Sequence, residues 1–105
     1  MFESLTEKYH IFGQILLRNS HINSWDSLVI ACPIRSNYCT AIELYATKGD
    51  EKIYFPNVEF NDVFLAEEVA VYIRDHMLNL TGDRIWGLTF TLYPTGKFEI
   101  DYDYN

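Results

Sequence analysis

Three carboxylates near the C-terminus stand at every second position of the stretch "KFEIDYDYN". Glu99, Asp101 and Asp103 alternate there with apolar and aromatic residues. Because successive side chains of a β-strand point to opposite faces, a strand here would carry one apolar face and one row of carboxylates. Such a row has three interpretations: a catalytic or metal site, a surface that binds a basic partner, or an ordinary solvated face.

Acid–base catalysis is the first chemistry that paired carboxylates indicate. Residues two apart on a strand lie about 6.6 to 6.8 Å apart, a separation that glycoside hydrolysis accepts. The same chemistry also needs a cleft and a carboxyl group with a raised pKa, and nothing in the sequence indicates either. Every exposed strand with alternating Asp has this spacing, so we predict no catalytic residue and no enzyme activity.

A metal or cofactor site has no better support. Hard cations need several oxygen ligands that converge, and a flat row cannot supply them without a loop. His10, His21 and His76 lack the spacing of paired metal ligands, and the scattered glycines form no phosphate-binding loop. Cys32 and Cys39 have no familiar metal or redox spacing, so we expect free thiols, with a bridge between neighbouring strands as the alternative. We therefore predict no metal and no cofactor.

The overall charge favours a basic partner. The 105 residues include 8 Lys or Arg and 15 Asp or Glu, which gives a formal charge of -7. A domain this acidic repels phosphate backbones and anionic lipids, so we expect neither nucleic-acid nor membrane binding. The first residues show no basic region followed by an apolar run, and no apolar segment is long enough to span a bilayer. The sequence therefore predicts a cytoplasmic protein.

The first half of the chain predicts one helix and three strands. The length and the 49% hydrophobic content fit a single domain over residues 1–105. Ser4 and Glu7 form a capping box for a helix over residues 5–18. Residues 27–35 are apolar and β-branched, and Pro33 predicts that they form an edge strand or end at a bulge. A turn at residues 48–51 then separates two strands, near residues 39–47 and 52–58.

The second half predicts another helix and a closing hairpin. Asn61 or Asp62 can cap a helix whose apolar stripe ends at Gly82. A strand over residues 84–93 follows, and a turn at residues 94–97 leads into the acidic strand. The apolar face of the first of these strands carries Trp86, Leu88, Phe90 and Leu92, and its other face carries Gly87, Thr89 and Thr91.

These elements predict an α+β domain with a mostly antiparallel sheet of about five strands and two helices packed on one face. We expect the faces of Trp86 and Phe98 to lie against the helices. The opposite face would then present Thr89, Thr91 and the carboxylate row to water or to a partner.

A binding surface is the interpretation of the row that has the clearest physical rationale. Carboxylates about 7 Å apart on a stiff strand resemble the phosphate repeat of a nucleic-acid strand, so the basic groove of a nuclease could accept them in place of its substrate. Two other classes stay open: a small enzyme or ligand-binding domain with a pocket between helices and sheet, and a structural or oligomer-forming subunit. The predicted partner-binding residues are Glu99, Asp101 and Asp103, with Glu43, Asp50 and Glu51 as extensions.

The segment "RIWGLTFTLYPTGKFEIDYDYN" resembles the closing hairpin of bacterial immunity proteins of the YezG-like group. A Trp-bearing strand, a turn ending in Gly-Lys-Phe and an acidic-aromatic strand with Asp-Tyr recur in that group, and the likeness covers about the last fifth of this chain. The resemblance implies a small, acidic, cytoplasmic protein. It would bind and neutralise the toxin domain, often a nuclease, of a polymorphic or contact-dependent growth inhibition system.

The residues that carry this resemblance divide into two roles. In the family the aromatic members serve mainly for packing, which leaves the acidic members as contacts with the toxin. The matching positions in this chain are Trp86, Gly96, Lys97, Phe98, Asp101, Tyr102 and Tyr104.

Overall fold

The computed structural model describes residues 5–35 and 38–104. Its elements, in chain order, are α1 (Leu5–Asn19), β1 (Ser27–Arg35), β2 (Tyr38–Cys39), β3 (Glu43–Lys48), β4 (Glu51–Tyr54), α2 (Phe60–Thr81), β5 (Gly87–Leu92) and β6 (Phe98–Asp103). Five strands follow one another across the sheet in the order β4-β3-β1-β5-β6, and the short β2 pairs with the end of β1. All of these pairings are antiparallel. The predicted α+β fold is therefore confirmed.

Both helices pack on one face of the sheet and bury a continuous apolar core there. Alternation along β1, β3 and β5 sends their even-numbered residues to this helix-covered face. Phe12 of α1 and Phe90 of β5 are almost fully buried, and their ring centroids lie 5.5 Å apart. Phe98 and Ile100 of β6 pack against the margin of the core, as predicted. The core residues that α2 contributes are Ala66, Val69, Ala70 and Ile73.

Trp86 departs from the predicted pattern. We expected it on the helix-covered face, but 37% of its surface is exposed and it does not belong to the core. β5 begins at Gly87, so Trp86 precedes the regular alternation of that strand. Its ring packs against Arg84, whose guanidinium carbon lies 4.0 Å from the ring centroid, a cation–π geometry.

The prediction that Pro33 marks an edge strand is wrong, because β1 lies in the middle of the sheet. β3 pairs with residues 27–31 of β1 and β2 pairs with residues 34–35, so Pro33 lies between two paired segments. Three residues, 40–42, lie opposite two on β1, which is the register shift of a bulge. Ile34 donates its N–H to the carbonyl of Trp86, so the neighbouring Pro33 nitrogen faces the bulge, where no donor is required.

The β3–β4 hairpin is confirmed, but its strands are shorter than predicted. The strand expected over residues 39–47 is divided into β2 and β3, because Ala41 adopts a positive φ of 49° that interrupts extended structure. β4 ends at Tyr54 instead of residue 58. Pro56 follows two residues later and has no N–H to donate to a ladder.

The second helix begins at Phe60 with Glu59 at its N-cap, so the predicted caps Asn61 and Asp62 are wrong. Asp62 lies in the first helical turn, where its carboxylate has other partners. The predicted end is confirmed: Gly82 has a φ of 79° and donates its N–H to the carbonyl of Leu78. Neither of the described helices is long and apolar enough to cross a membrane.

A buried polar junction fixes α2 against α1. Asn19, only 3% exposed at the end of α1, donates to the Asp62 carboxylate at 2.8 Å and accepts the Glu59 N–H at 3.0 Å. Arg18 binds the same carboxylate, with 2.6 Å between Nη2 and Oδ1. The hydrogen bond from Arg18 lowers the pKa of Asp62, and the bond from Asn19 lowers it further. The predicted capping residue of α1, Ser4, lies outside the described residues.

Candidate functional site

The carboxylate row lies on the side of the sheet that the helices leave uncovered. Glu99, Asp101 and Asp103 are exposed and alternate with half-buried residues along β6, as predicted. Their register partners are the odd-numbered residues of β5, and none of these positions belongs to the core. We call this side the open face. Its members on β1, β3, β4, β5 and β6 are Ser27, Val29, Ala31, Pro33, Arg35, Glu43, Tyr45, Thr47, Lys52, Tyr54, Gly87, Thr89, Thr91, Glu99, Asp101 and Asp103.

Small residues form a shallow depression beside the row. Ala31 and Pro33 of β1 pair with Thr89 and Gly87 of β5, and the depression they share with Asp101 and its neighbours measures about 280 Å³. A Cβ at Gly87 would lie only 3.2 Å from the carbonyl oxygen of Cys32, so a side chain at this position would crowd the backbone of β1. Glycine therefore allows β1 and β5 to approach closely under the depression.

The charges of the open face are unevenly distributed. Lys52 and Lys97 lie toward the end of the sheet that carries the two hairpin turns, and the Lys52 ammonium lies 4.7 Å from the centroid of the Tyr45 ring. Asp101 and Asp103 lie toward the opposite end, beside the depression. An approaching partner would therefore meet Asp101 and Asp103 beside Arg35 at one end of this face, and the ammonium groups of Lys52 and Lys97 beside the Tyr45 ring at the other.

The row also affects a neighbouring phenol. Tyr93 follows β5 and pairs with Lys97 across the last turn through a backbone hydrogen bond of 2.8 Å. Desolvation raises the pKa of Tyr93, and a hydrogen bond to Glu99 and the negative charges of Glu99 and Asp101 raise it further. The field of the carboxylates thus extends over the turn that joins β5 to β6.

The apolar side of β6 anchors the row to the helical layer. The Tyr102 hydroxyl is 2.5 Å from the Tyr9 hydroxyl of α1, and the Phe98 ring lies 5.5 Å from the Tyr9 ring. Burial raises the pKa of Tyr102, and the hydrogen bond with Tyr9 adds to this effect. These contacts hold β6 in place, so the positions of its carboxylates are fixed before a partner binds.

The structure brings only one of the three predicted extensions onto the same face as the row. Glu43 is exposed, pairs with Ala31, and lies three strands from Asp101, about 14 Å away at the usual strand spacing. Asp50 lies in the β3–β4 turn, and Glu51 pairs with Lys48 at the start of β4. β4 and β6 form opposite edges of the sheet, about 19 Å apart, so the turn carboxylates form a separate group.

Two arginines that lie beside the depression were not predicted from the sequence. Arg35 donates from Nη1 to the carbonyl of Trp86 at 2.9 Å, and Arg84 covers the Trp86 ring. Arg35 and Trp86 are 51 positions apart, so no local spacing could have indicated their contact. The depression is consequently lined by charges of both signs, which makes it a poor pocket for a single cation.

The two cysteines are buried, free thiols in neighbouring strands, as expected from the sequence. A hydrogen bond between the thiols raises the pKa of Cys32 and lowers that of Cys39. Within residues 5–35 and 38–104, no three His, Cys, Asp or Glu side chains lie in an arrangement that could hold a metal ion. In the described part of the chain, these groups therefore assemble no metal centre beside the open face.

Comparison with known proteins adds no identification. No protein-family model matches this chain, and no curated protein matches it either. The resemblance of the closing hairpin to YezG-like immunity proteins therefore stays a prediction, and the functional argument depends on the geometry of the open face.

Proposed function

We propose that this protein is a bacterial immunity protein that binds and neutralises a cognate toxin domain, a basic nuclease, in the cytoplasm. The observation that supports this proposal is the exposed row of Glu99, Asp101 and Asp103 on β6, at the margin of a sheet face that carries no helix. The proposal assigns the protein no catalytic residue, metal or cofactor. Inhibition follows from occupying the surface with which the toxin would bind its own substrate.

The spacing and rigidity of the row support this role. Alternate residues of a strand are about 6.8 Å apart, which approximates the repeat of phosphates along a nucleic-acid strand. Unlike a flexible acidic tail, β6 is held by a complete register with β5 and by the hydroxyl contact of Tyr102. Less conformational entropy is then lost on binding than if the carboxylates had to be ordered first.

The net charge supports fast association. A formal charge of -7 on a domain of this size attracts a basic partner over a distance that salt screening limits to about 10 Å at 0.1 M ionic strength. Local carboxylates then determine the orientation of the complex, because complementary charge affects specificity and association rate more than total affinity.

The alternative function, a small enzyme or ligand-binding domain, would use a pocket between the helices and the sheet. The residues that meet there are closely packed: Phe12, Ile30 and Phe90 are each at most 1% exposed. The groove that opens between α1 and the β5–β6 hairpin lies at the margin of this layer, beside the edge of the sheet, and not within it. Function is therefore placed on the open face.

The test of the proposed function compares two double charge reversals in binding to the toxin. The first step is to read the adjacent upstream reading frame: a large secreted protein with a basic C-terminal domain there would supply the toxin for this test. Asp101→Lys with Asp103→Lys should lower its affinity by more than about 100-fold at low salt, because desolvated charge pairs would become repulsive. Asp50→Lys with Glu51→Lys is the matched control, since both variants change the formal charge from -7 to -3.

Binding is measured at two ionic strengths, together with protection of cells that produce the toxin. The proposal predicts that the β6 variant folds normally, binds weakly and fails to protect, while the control keeps most of its affinity. Wild-type affinity of the β6 variant at both salt concentrations would remove the row from the mechanism. An equal loss in both variants would attribute binding to net charge and not to the open face.

A further inference from the structure

β6 is an edge strand whose outer backbone groups have no strand beside them in the described part of the chain. Tyr93 donates its N–H to the carbonyl of Lys97, which shows that the odd-numbered residues of β6 direct their backbone groups toward β5. The backbone N–H and carbonyl groups of Phe98, Ile100 and Tyr102 consequently point away from the sheet. Such a row of three residues can form a ladder with one more strand.

An apolar groove runs beside this edge on the helix-covered face. It measures about 250 Å³ and lies between α1 and the β5–β6 hairpin. Leu17 on its helical side is 58% exposed, and Gly13 leaves open space because nothing lies within 4 Å of the position of a Cβ. Phe98 forms the sheet side of the groove. Side chains of an added strand that pointed to the helix-covered face would therefore meet an apolar surface.

The opposite side of the same edge is acidic. Glu99 and Asp101 are exposed on the open face, one on either side of Ile100. Directly opposite residues in neighbouring strands bring their Cβ atoms within about 4.5 to 5.5 Å, close enough for oppositely charged side chains to pair. An added strand would therefore place one set of side chains beside carboxylates and the alternate set beside the apolar groove.

We propose that β6 binds its partner by antiparallel strand addition, and that the partner supplies an extended segment in which basic and apolar residues alternate. This inference rests on the proposed function for the identity of the partner as a basic domain. Backbone hydrogen bonds to Phe98, Ile100 and Tyr102 provide affinity, and the charge pattern of the segment provides specificity.

Charge decides between this partner and a second copy of the chain. If two copies of β6 paired edge to edge in antiparallel fashion about Ile100, Glu99 of each copy would lie opposite Asp101 of the other, while Asp103 would lie opposite Lys97. Like charges directly opposite one another destabilise a pair of strands. Exposed carboxylates therefore protect this edge from self-association and leave it open to a basic strand.

Designed peptides test strand addition without any toxin. The probe is a ten-residue peptide of alternating Lys and Val, and its binding is measured by titration and by amide hydrogen exchange of the intact protein. Binding should slow exchange at Phe98, Ile100 and Tyr102 by at least about tenfold, because their N–H groups become hydrogen-bonded. A peptide of alternating Glu and Val is the control for charge and should not bind.

Two N-methylated peptides separate backbone pairing from simple charge attraction. Opposite residues in an antiparallel pair share one face, so Val residues lie across from Phe98, Ile100 and Tyr102 and exchange hydrogen bonds with them. Methylation of the Val nitrogens should weaken binding by at least about tenfold, whereas methylation of the Lys nitrogens, which face away, should not. Both peptides keep the same charge.

Several results would overturn strand addition. The first is that the Lys and Val peptide does not bind, and the second is that the two N-methylated peptides bind equally well. The third is that hydrogen exchange at Phe98, Ile100 and Tyr102 slows when the protein concentration is raised without peptide, which would assign the edge to a second copy. Each leaves the proposed function standing if the Asp101 and Asp103 reversals still abolish toxin binding. Conversely, the peptide could pair with β6 while the Asp101 and Asp103 reversals leave the affinity for the toxin unchanged. That result would refute the proposed function and leave strand addition standing.

Discussion

The two faces of the sheet differ in what their residues contribute. On the helix-covered face, neighbouring large side chains such as Phe12 and Phe90 fill a space from which water is excluded. On the open face the neighbours of Phe90 along β5 are Thr89 and Thr91, both partly exposed. On the helix-covered face the volume of a side chain therefore determines stability, and on the open face its charge determines recognition. Substitutions can consequently change stability and recognition separately.

β6 combines both kinds of surface in one strand. Phe98 and Tyr102 contact Tyr9 of α1 through a ring contact and a hydroxyl contact, while Glu99 and Asp101 alternate with them in solvent. A substitution at Glu99 or Asp101 should consequently affect partner binding and leave unfolding almost unchanged, whereas one at Phe98 should affect unfolding as well as the groove beside the edge.

The largest effect is expected for Phe90→Ala. The ring is 1% exposed and contacts both Phe12 and Phe98, so its removal leaves a cavity in the centre of the core. We expect a loss of about 3 to 5 kcal/mol in the free energy of unfolding, measured by urea denaturation. Thr89→Ala, the adjacent change on the open face, is the control and should cost less than about 1 kcal/mol.

Equal losses from these two variants would contradict the comparison, since they would mean that the open face is as closely packed as the core. A loss below about 1 kcal/mol for Phe90→Ala would instead show that the faces are reversed, because a shift of one residue exchanges every side chain between faces.

Local periodicity explains why most of the fold could be predicted from the sequence. Strict alternation in β5 and the helical stripe of α2 determine which side of each element is apolar, and Gly82 marks a helix end through its backbone conformation. The errors arose where distant residues decide the local structure. Asp62 is held by Arg18 and Asn19 of the other helix, 44 and 43 positions away, and so does not act as the cap of α2.

In the candidate site, too, local patterns could be predicted from the sequence, whereas contacts between distant residues could not. Alternation in β6 was sufficient to predict that Glu99, Asp101 and Asp103 share a face. The order of the strands was not available from the sequence, so the position of Glu43 three strands away and the separation of Asp50 and Glu51 could not be foreseen. The contact of Arg35 with Trp86 could not be predicted from the sequence either, since it depends on the pairing of β1 with β5.

An intermediate effect is expected for Asp62→Asn, which compares a buried carboxylate with those of the open face. The hydrogen bond from Arg18, and then that from Asn19, lowers the pKa of Asp62 below its value in the unfolded chain. The stabilisation is therefore complete above the unfolded pKa of about 4, and it is lost as the pH falls through the folded pKa. Replacement of Asp62 by Asn should cost about 1 kcal/mol at neutral pH.

The measurement is the urea midpoint at several values between about pH 6 and pH 3. Wild type should lose stability toward the acid end of this window, and the Asp62→Asn curve should be flatter there. Asp101→Asn removes an exposed carboxylate of the open face and should leave the shape of the curve close to that of wild type. Parallel curves for wild type and Asp62→Asn would show that the buried junction does not contribute to acid sensitivity.

The smallest effect is expected from removal of metal ions, which tests whether the open-face carboxylates act only through their charge. Alternate strand residues about 6.8 Å apart can offer one cation at most two neighbouring carboxylates, fewer oxygens than the six to eight that calcium takes at about 2.3 to 2.6 Å. His10 lines the groove on the helix-covered face, so it lies on the opposite side of β6 from this row, and His21 is exposed after the end of α1. EDTA should therefore leave the melting temperature unchanged, and replacement of His10, His21 and His76 by Gln should preserve binding to the toxin. A chelator-dependent fall of several degrees that one divalent cation restores, and that is absent in Asp101→Asn with Asp103→Asn, would show that the carboxylates of the open face have a structural role. The contrast between the two faces would then no longer hold.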